Sequence, residues 1–168
     1  MPTMLDLLAK LHRHWRRDTG VSLGWLARSS SRLDRRFAES AVIERTEAAD
    51  GMDVVTINGT RFIWPRHSPL KGLVMTAAEL MLTEHPHQYL WGGTTIKQDD
   101  VVIDVGCCEG SFAAKAAEMG GKVVVVEPSK VMLGVIEKLF SLRGLAQPTY
   151  APMALGAGGE MTIEFTDN

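Results

Sequence analysis

Apolar spacing along the chain changes character near residue 93. Met4, Leu5, Leu8, Leu11 and Trp15 recur at helical spacing opposite Lys10, Arg13 and Arg17, which predicts an amphipathic helix over 4–16, stopped by Asp18-Thr19-Gly20. Residues 21–31 show no clear period, and Ser29-Ser30-Ser31 reads as a loop or a helix cap. Arg32 to Glu47 is weakly amphipathic and reads as helix. Met52 to Ile57 and Arg61 to Trp64 flank Asn58-Gly59-Thr60, and Asn-Gly supplies the positive φ angles of a tight hairpin turn. Pro65 and Pro69 bracket a loop. Leu73, Val74, Ala77, Leu80 and Met81 then form one face of a helix over 70–83. Pro86 ends it, and His85 to Gly93 links onward.

From Thr94 the pattern becomes strand, helix, strand, helix, strand. Val101–Val105 leads to a helix at Ser111–Met119 closed by Gly120-Gly121. Val123–Val126 leads to a helix at Ser129–Arg143, with Met132, Val135, Ile136, Leu139 and Phe140 inward and Gly144 as its cap. Short apolar pieces follow at Tyr150–Leu155 and Met161–Phe165. Strands that are apolar throughout imply burial on both faces, hence a parallel sheet between helices. The fold class is therefore α/β: an α+β accessory segment of helices and a hairpin over 1–93, then a partial Rossmann-like domain over 94–168.

Composition narrows this little. With 168 residues, 45% hydrophobic and 23% charged, the chain can bury a core and is not of disordered type. A net charge of −2 gives no general reason to expect nucleic acid. Residues 1–45 do carry nine Lys and Arg against five Asp and Glu, a basic flank that reads first as a solvated helical face. There is no apolar run of membrane-spanning length and no export signal, so the expectation is a cytoplasmic protein. The two cysteines, Cys107 and Cys108, are adjacent, which disfavours a mutual bridge and falls short of a zinc site; they read as reduced thiols.

The chemistry concentrates where the first apolar strand ends. Asp104-Val105-Gly106-Cys107-Cys108-Glu109-Gly110 places an acidic residue before a small-residue turn, and a second strand ends in Glu127-Pro128. Carboxylates at the C-terminal ends of neighbouring strands are how a Rossmann-like sheet holds a nucleoside. The glycines sit four apart. A dinucleotide turn puts them at offsets of two and five, and a P-loop needs a following Lys-Ser/Thr. The spacing here resembles the acidic-x-Gly-x-x-x-Gly turn of class I S-adenosylmethionine-dependent methyltransferases. That cofactor lacks phosphate and needs a compact turn for its amino-acid tail and a carboxylate for its ribose hydroxyls. Glu127 suits the ribose; Asp104 either orders the amino-acid end or caps the turn. Cys107 and Cys108 are small fillers where bulk would obstruct a ligand.

Val101 to Phe112 resembles the first motif of FkbM-type methyltransferases, Glu127-Pro128 their second-strand Glu-Pro, and Ala154-Leu155-Gly156 with Gly159 and Phe165 their Ala-Leu-Gly segment. The resemblance covers about residues 86–168. It implies a class I methyltransferase fold, S-adenosyl-L-methionine as cofactor, and methyl transfer to a hydroxyl of a sugar, glycolipid or natural product. It also implies that Asp104, Gly106, Cys107, Cys108, Gly110, Phe112, Glu127, Pro128 and Ala154 contact the cofactor. Cys108 departs from the family's usual Asn. The family's sheet has further strands, whereas this sequence stops at Asp167-Asn168. Three readings stay open: a fragment of a longer enzyme, completion by another chain, or a non-catalytic remnant. Without the family's fourth strand, Val101–Val105 would be an apolar sheet edge able to self-associate. No general base is nominated. The alternatives are an NAD(P)-dependent oxidoreductase with an altered turn, and an interaction module using the basic helices of 4–47.

Overall fold

A computed structural model describes residues 23–48 and 50–156. The expected helix over 4–16, the Met161–Phe165 piece, Gly159 and Phe165 lie outside them. Helix α1 (Leu23–Ser40) is followed by strands β1 (Ile43–Glu47), β2 (Met52–Ile57) and β3 (Thr60–Pro65), then helix α2 (Leu70–Met81). Next come β4 (Val101–Val105), α3 (Ser111–Glu118), β5 (Lys122–Val126), α4 (Lys130–Arg143) and β6 (Thr149–Ala151). The result is mixed α/β, with an antiparallel sheet β1-β2-β3 and a parallel sheet β4-β5-β6.

The hairpin forms at the expected turn, with Asn58 at φ 48° and Gly59 at φ 83°. Val54 pairs with Ile63 and Val55 with Phe62, so the sheet has two apolar faces. Val55, Ile57 and Phe62 pack with Phe37 of α1 and with Leu73, Val74, Ala77 and Ala78 of α2. Met52, Val54 and Ile63 belong instead to the core around β5 and α4. The antiparallel sheet is thus shared between two cores.

Two sequence readings are corrected here. The helix expected over Arg32–Glu47 ends at Ser40, and Ile43–Glu47 is a strand. Ser40 Oγ bonds back to the Arg36 carbonyl at 2.9 Å, and Asn58 then grips Val42, accepting its N–H on Oδ1 and donating its own N–H to the Val42 carbonyl. Pairing of Ile43 with Ile57 and of Glu47 with Asp53 overrides a weak helical period. The second correction is Ser29-Ser30-Ser31, read as a loop or cap, which lies inside α1.

The second half follows its pattern closely. α4 starts at the Ser129 cap, whose side chain accepts the Met132 N–H, and ends at Gly144 with φ 68°. Its inward face is Val135, Ile136, Leu139 and Phe140; Met132 is only partly buried. In β5, Val123, Val125 and Val126 are buried and Val124 is half-buried, whereas in β4 Val101, Ile103 and Val105 are 66%, 62% and 51% exposed. The helices cover only the face carrying Val102 and Val123, and among the described residues nothing pairs with the outer side of β4. The last apolar piece forms a strand only at Thr149–Ala151, and residues 152–156 are exposed.

Arg143 ties the halves together. Its Nη1 pairs with Glu118 of α3 at 3.0 Å, its Nε donates to the Arg61 carbonyl of β3 at 2.8 Å, and its guanidinium lies 5.1 Å from the Phe62 ring centroid. Within the hairpin, buried Asp53 accepts from Arg45 and from Arg66 Nε. Arg66 also donates to the Ala48 carbonyl at 2.8 Å, closing the turn before β2.

Burial alone would raise the Asp53 carboxyl, but the hydrogen bonds from Arg66 and Arg45 outweigh it and hold it below the ordinary carboxylate range. A depressed folded pKa gives stability that is present above the unfolded value of about 4 and is lost as pH falls through the folded value. In urea unfolding, Asp53→Asn is therefore expected to be less stable than wild type at pH 7, with the gap narrowing steadily below about pH 4. A gap independent of pH would contradict the charge pairing.

Candidate functional site

The C-terminal ends of β4 and β5 meet at the glycine turn. The Gly106 N–H donates to the Val126 carbonyl at 2.9 Å, and the Glu127 N–H to Ala151 of β6 at 3.2 Å. Parallel pairing puts Asp104 beside Val125 and Val105 beside Val126. Asp104, Gly106 and Glu127 are therefore gathered at one end of the sheet, where open α/β sheets bind ligands.

The two glycines differ. Gly106 has φ 68°, and a Cβ there would meet no atom within 4 Å, so its backbone is open to approach. Gly110 has φ 75°, and a Cβ there would lie 2.7 Å from Ile136 Cγ1. Its missing side chain lets α4 close on the start of α3. The turn is locked by the Gly110 N–H donating to the Cys107 carbonyl at 2.7 Å. Cys108, between them, takes φ 47°.

Asp104 is the least satisfied group of the turn. Its Oδ2 is buried and has no hydrogen-bond partner among the described residues. Burial pushes its carboxyl up, a hydrogen bond from the Ala113 amide pulls it back, and Glu109 pushes it up again. A buried polar atom without a partner is costly in a fold and marks a place where a ligand donor would be favourable. Glu127 is buried, and its Oε1 accepts the Ser129 N–H at 2.9 Å, which fixes the carboxylate while leaving acceptor capacity.

Both cysteines are free, Cys107 buried and Cys108 exposed. Burial, with Asp104 and Glu127 nearby, pushes the Cys107 thiol up to about 12. Burial, then Glu109, Glu127 and Asp104, push the Cys108 thiol up as well. Neither thiol is set up as a thiolate nucleophile. Glu109 belongs to the turn itself, and Asp104 and Glu127 to the ends of the two strands that meet there, so the turn carries a rim of three carboxylates.

The other expected residues have their own surroundings. The Phe112 ring stacks on Tyr89, with centroids 4.3 Å apart and planes 12° from parallel. Pro128 is half-buried beside Glu127, while Ala154 is exposed in the segment after β6.

Sequence reasoning missed the groups that the 82–93 connection and α2 bring in. Burial raises the Tyr89 phenol, and Glu79, Asp104, Glu109 and Cys108 all add to that rise. Burial also raises Glu79; His85 and His87 lower it, and Asp34 and Glu109 raise it. The one available signal was a carboxylate isolated in an otherwise uncharged run, Gly72 to Thr83. His85 is fully buried, its Nε2 3.1 Å from Asp34 Oδ1 and its Nδ1 accepting the His87 N–H at 3.2 Å. Both ring nitrogens are committed to anchoring the connection.

Among the described residues, no group of three His, Cys, Asp or Glu side chains could hold a metal ion, and no helix is long and apolar enough to cross a membrane. In comparison with known proteins, no family model matches the chain, and no curated protein matches it either.

Two outcomes follow. Gly106→Ala incurs only the left-handed backbone penalty, about 1–2 kcal/mol, whereas Gly110→Ala adds overpacking against Ile136 for about 2–5 kcal/mol in all, readable as urea midpoints. For Asp104, a raised folded pKa contributes stability below the unfolded value that is lost as pH rises through the folded one. Asp104→Asn is expected to unfold at higher urea than wild type at pH 7, the advantage vanishing below about pH 4.

Proposed function

We propose that the glycine turn and Glu127 bind S-adenosyl-L-methionine and that the protein is a methyltransferase of class I, Rossmann-like type acting on a hydroxyl oxygen. The observation that carries this reading is the buried, unpartnered Asp104 oxygen inside a rim whose charges are carboxylates. Such a rim favours a ligand with positive charge and N–H donors and repels one carrying a pyrophosphate. The motif order, Asp104 to Gly110, Glu127-Pro128 and Ala154-Leu155-Gly156, resembles FkbM-type methyltransferases and supports the same reading.

When bound, the cofactor supplies an electrophilic methyl group on a positively charged sulfur. Asp104 would accept from its ammonium group, relieving the orphaned Oδ2. Glu127, held by Ser129, would accept from the ribose hydroxyls. Open space above Gly106 admits the ligand to backbone contact, and small side chains at Cys107 and Cys108 keep that space clear. The chain's contribution to rate would be alignment and exclusion of water.

Calorimetric titration tests this. S-adenosylhomocysteine is expected to bind wild type with micromolar affinity, and NAD not to bind. Glu127→Gln, which keeps an acceptor for Ser129 but loses the charge, is expected to weaken binding at least tenfold, about 1.4 kcal/mol or more. Asp104→Asn is expected to weaken it comparably although its fold is firmer. Binding of NAD alone would instead favour the oxidoreductase reading, and binding of neither would leave a non-catalytic module.

A further inference from the structure

Behind the Tyr89–Phe112 stack lies a cavity of about 460 Å3 between α2 and α3, a volume within the range of small-molecule sites. Its walls are mainly apolar, with Leu80, Leu90, Phe112 and Met119; Thr83, Gln88 and Lys115 add polar groups, and Glu79 is the one carboxylate on the lining. The cavity adjoins the turn through Phe112, which lies two residues beyond Gly110 and stacks on Tyr89, both being on its lining. Its far wall does not depend on loose chain, because buried His85 pins the 82–93 connection to Asp34 of α1.

We propose that this cavity binds the methyl acceptor, and that the acceptor is an apolar molecule with a single hydroxyl, such as a phenol, held by donation of that hydroxyl to Glu79. The predominantly apolar walls argue for the apolar body: a polyhydroxylated sugar would face Leu80, Leu90, Phe112 and Met119 with several of its hydroxyls, more than Thr83, Gln88 and Lys115 could partner. Glu79 argues for the hydroxyl, since a half-buried carboxylate is an acceptor that gains from one donor and little from an ether. Burial, opposed by His85 and His87, raises this carboxyl. The inference rests on the methyltransferase reading for its catalytic meaning; binding itself does not.

The test is a nitrogen-15 NMR titration of the full chain with 4-butylphenol, with its methyl ether 4-butylanisole, and with methyl glucoside. Expected are saturable shifts at Glu79, Leu90, Phe112, Lys115 and Met119 with the phenol, at least tenfold weaker binding of the ether, and no shifts with the glucoside. Glu79→Leu is expected to erase the preference for phenol over ether. Met119→Trp, or Leu80→Trp on the opposite wall should the first not fold, is expected to abolish both. Shifts with the glucoside alone, equal binding of phenol and ether to wild type, or phenol shifts elsewhere in the molecule would overturn the proposal. A parallel titration with S-adenosylhomocysteine separates the two readings. If it binds while the phenol leaves the cavity untouched, only the acceptor proposal falls; if the phenol behaves as expected and the homocysteine does not bind, the cavity stands and the cofactor reading falls.

Discussion

The approach of Ile136 to the missing side chain of Gly110 governs the arrangement of the rest. α4 can lie against the turn only because nothing larger than hydrogen projects from that position. Once seated there, the same helix offers Leu139 and Phe140 to the shared core and places Arg143 at its last turn, where it reaches Glu118 and the Arg61 carbonyl. A close contact midway along α4 is thereby converted, through the rigid half-helix from Ile136 to Arg143, into the registration of the hairpin against the parallel sheet. Ile63 in the parallel sheet's core is the visible result.

Electrostatics around the turn follow from that closure. With α4 in place, Glu127 and Asp104 are brought under cover, and the backbone alone supplies part of what they need: the Ser129 amide for one, the Ala113 amide for the other. The remaining deficit is local and one-signed. It accompanies the upward push on both thiols and the carboxylate oxygen left without a partner; among the described residues Arg143 Nη2 is the other buried side-chain atom so left.

Much of the second half was legible because each segment agrees with itself at several levels. β5 is a run of valines, α4 has a serine cap and a glycine stop, and the helical face repeats at the right interval. β1 was not legible: Ile43–Glu47 is exposed along its whole length and is a strand only because β2 offers it an edge. The same division runs through the site. Asp104, the two glycines and Glu127 lie on contiguous motifs. Tyr89 and Glu79 reach the turn by packing of the connection and α2 across α3, and nothing in their neighbours' spacing announces that. β4 shows a third case, since apolar continuity indicated burial on both faces and the helices cover only one.

That one-sided β4 also divides its own amides into two populations. In a strand pairing in parallel on one side only, alternate residues direct their N–H groups toward the neighbour and away from it. The inward set is tied to β5; the outward set faces whatever solvent or chain lies beyond. Hydrogen exchange along Val101–Val105 is thus a ruler with alternating slow and fast marks, and any partner that covers this edge would announce itself by erasing the alternation.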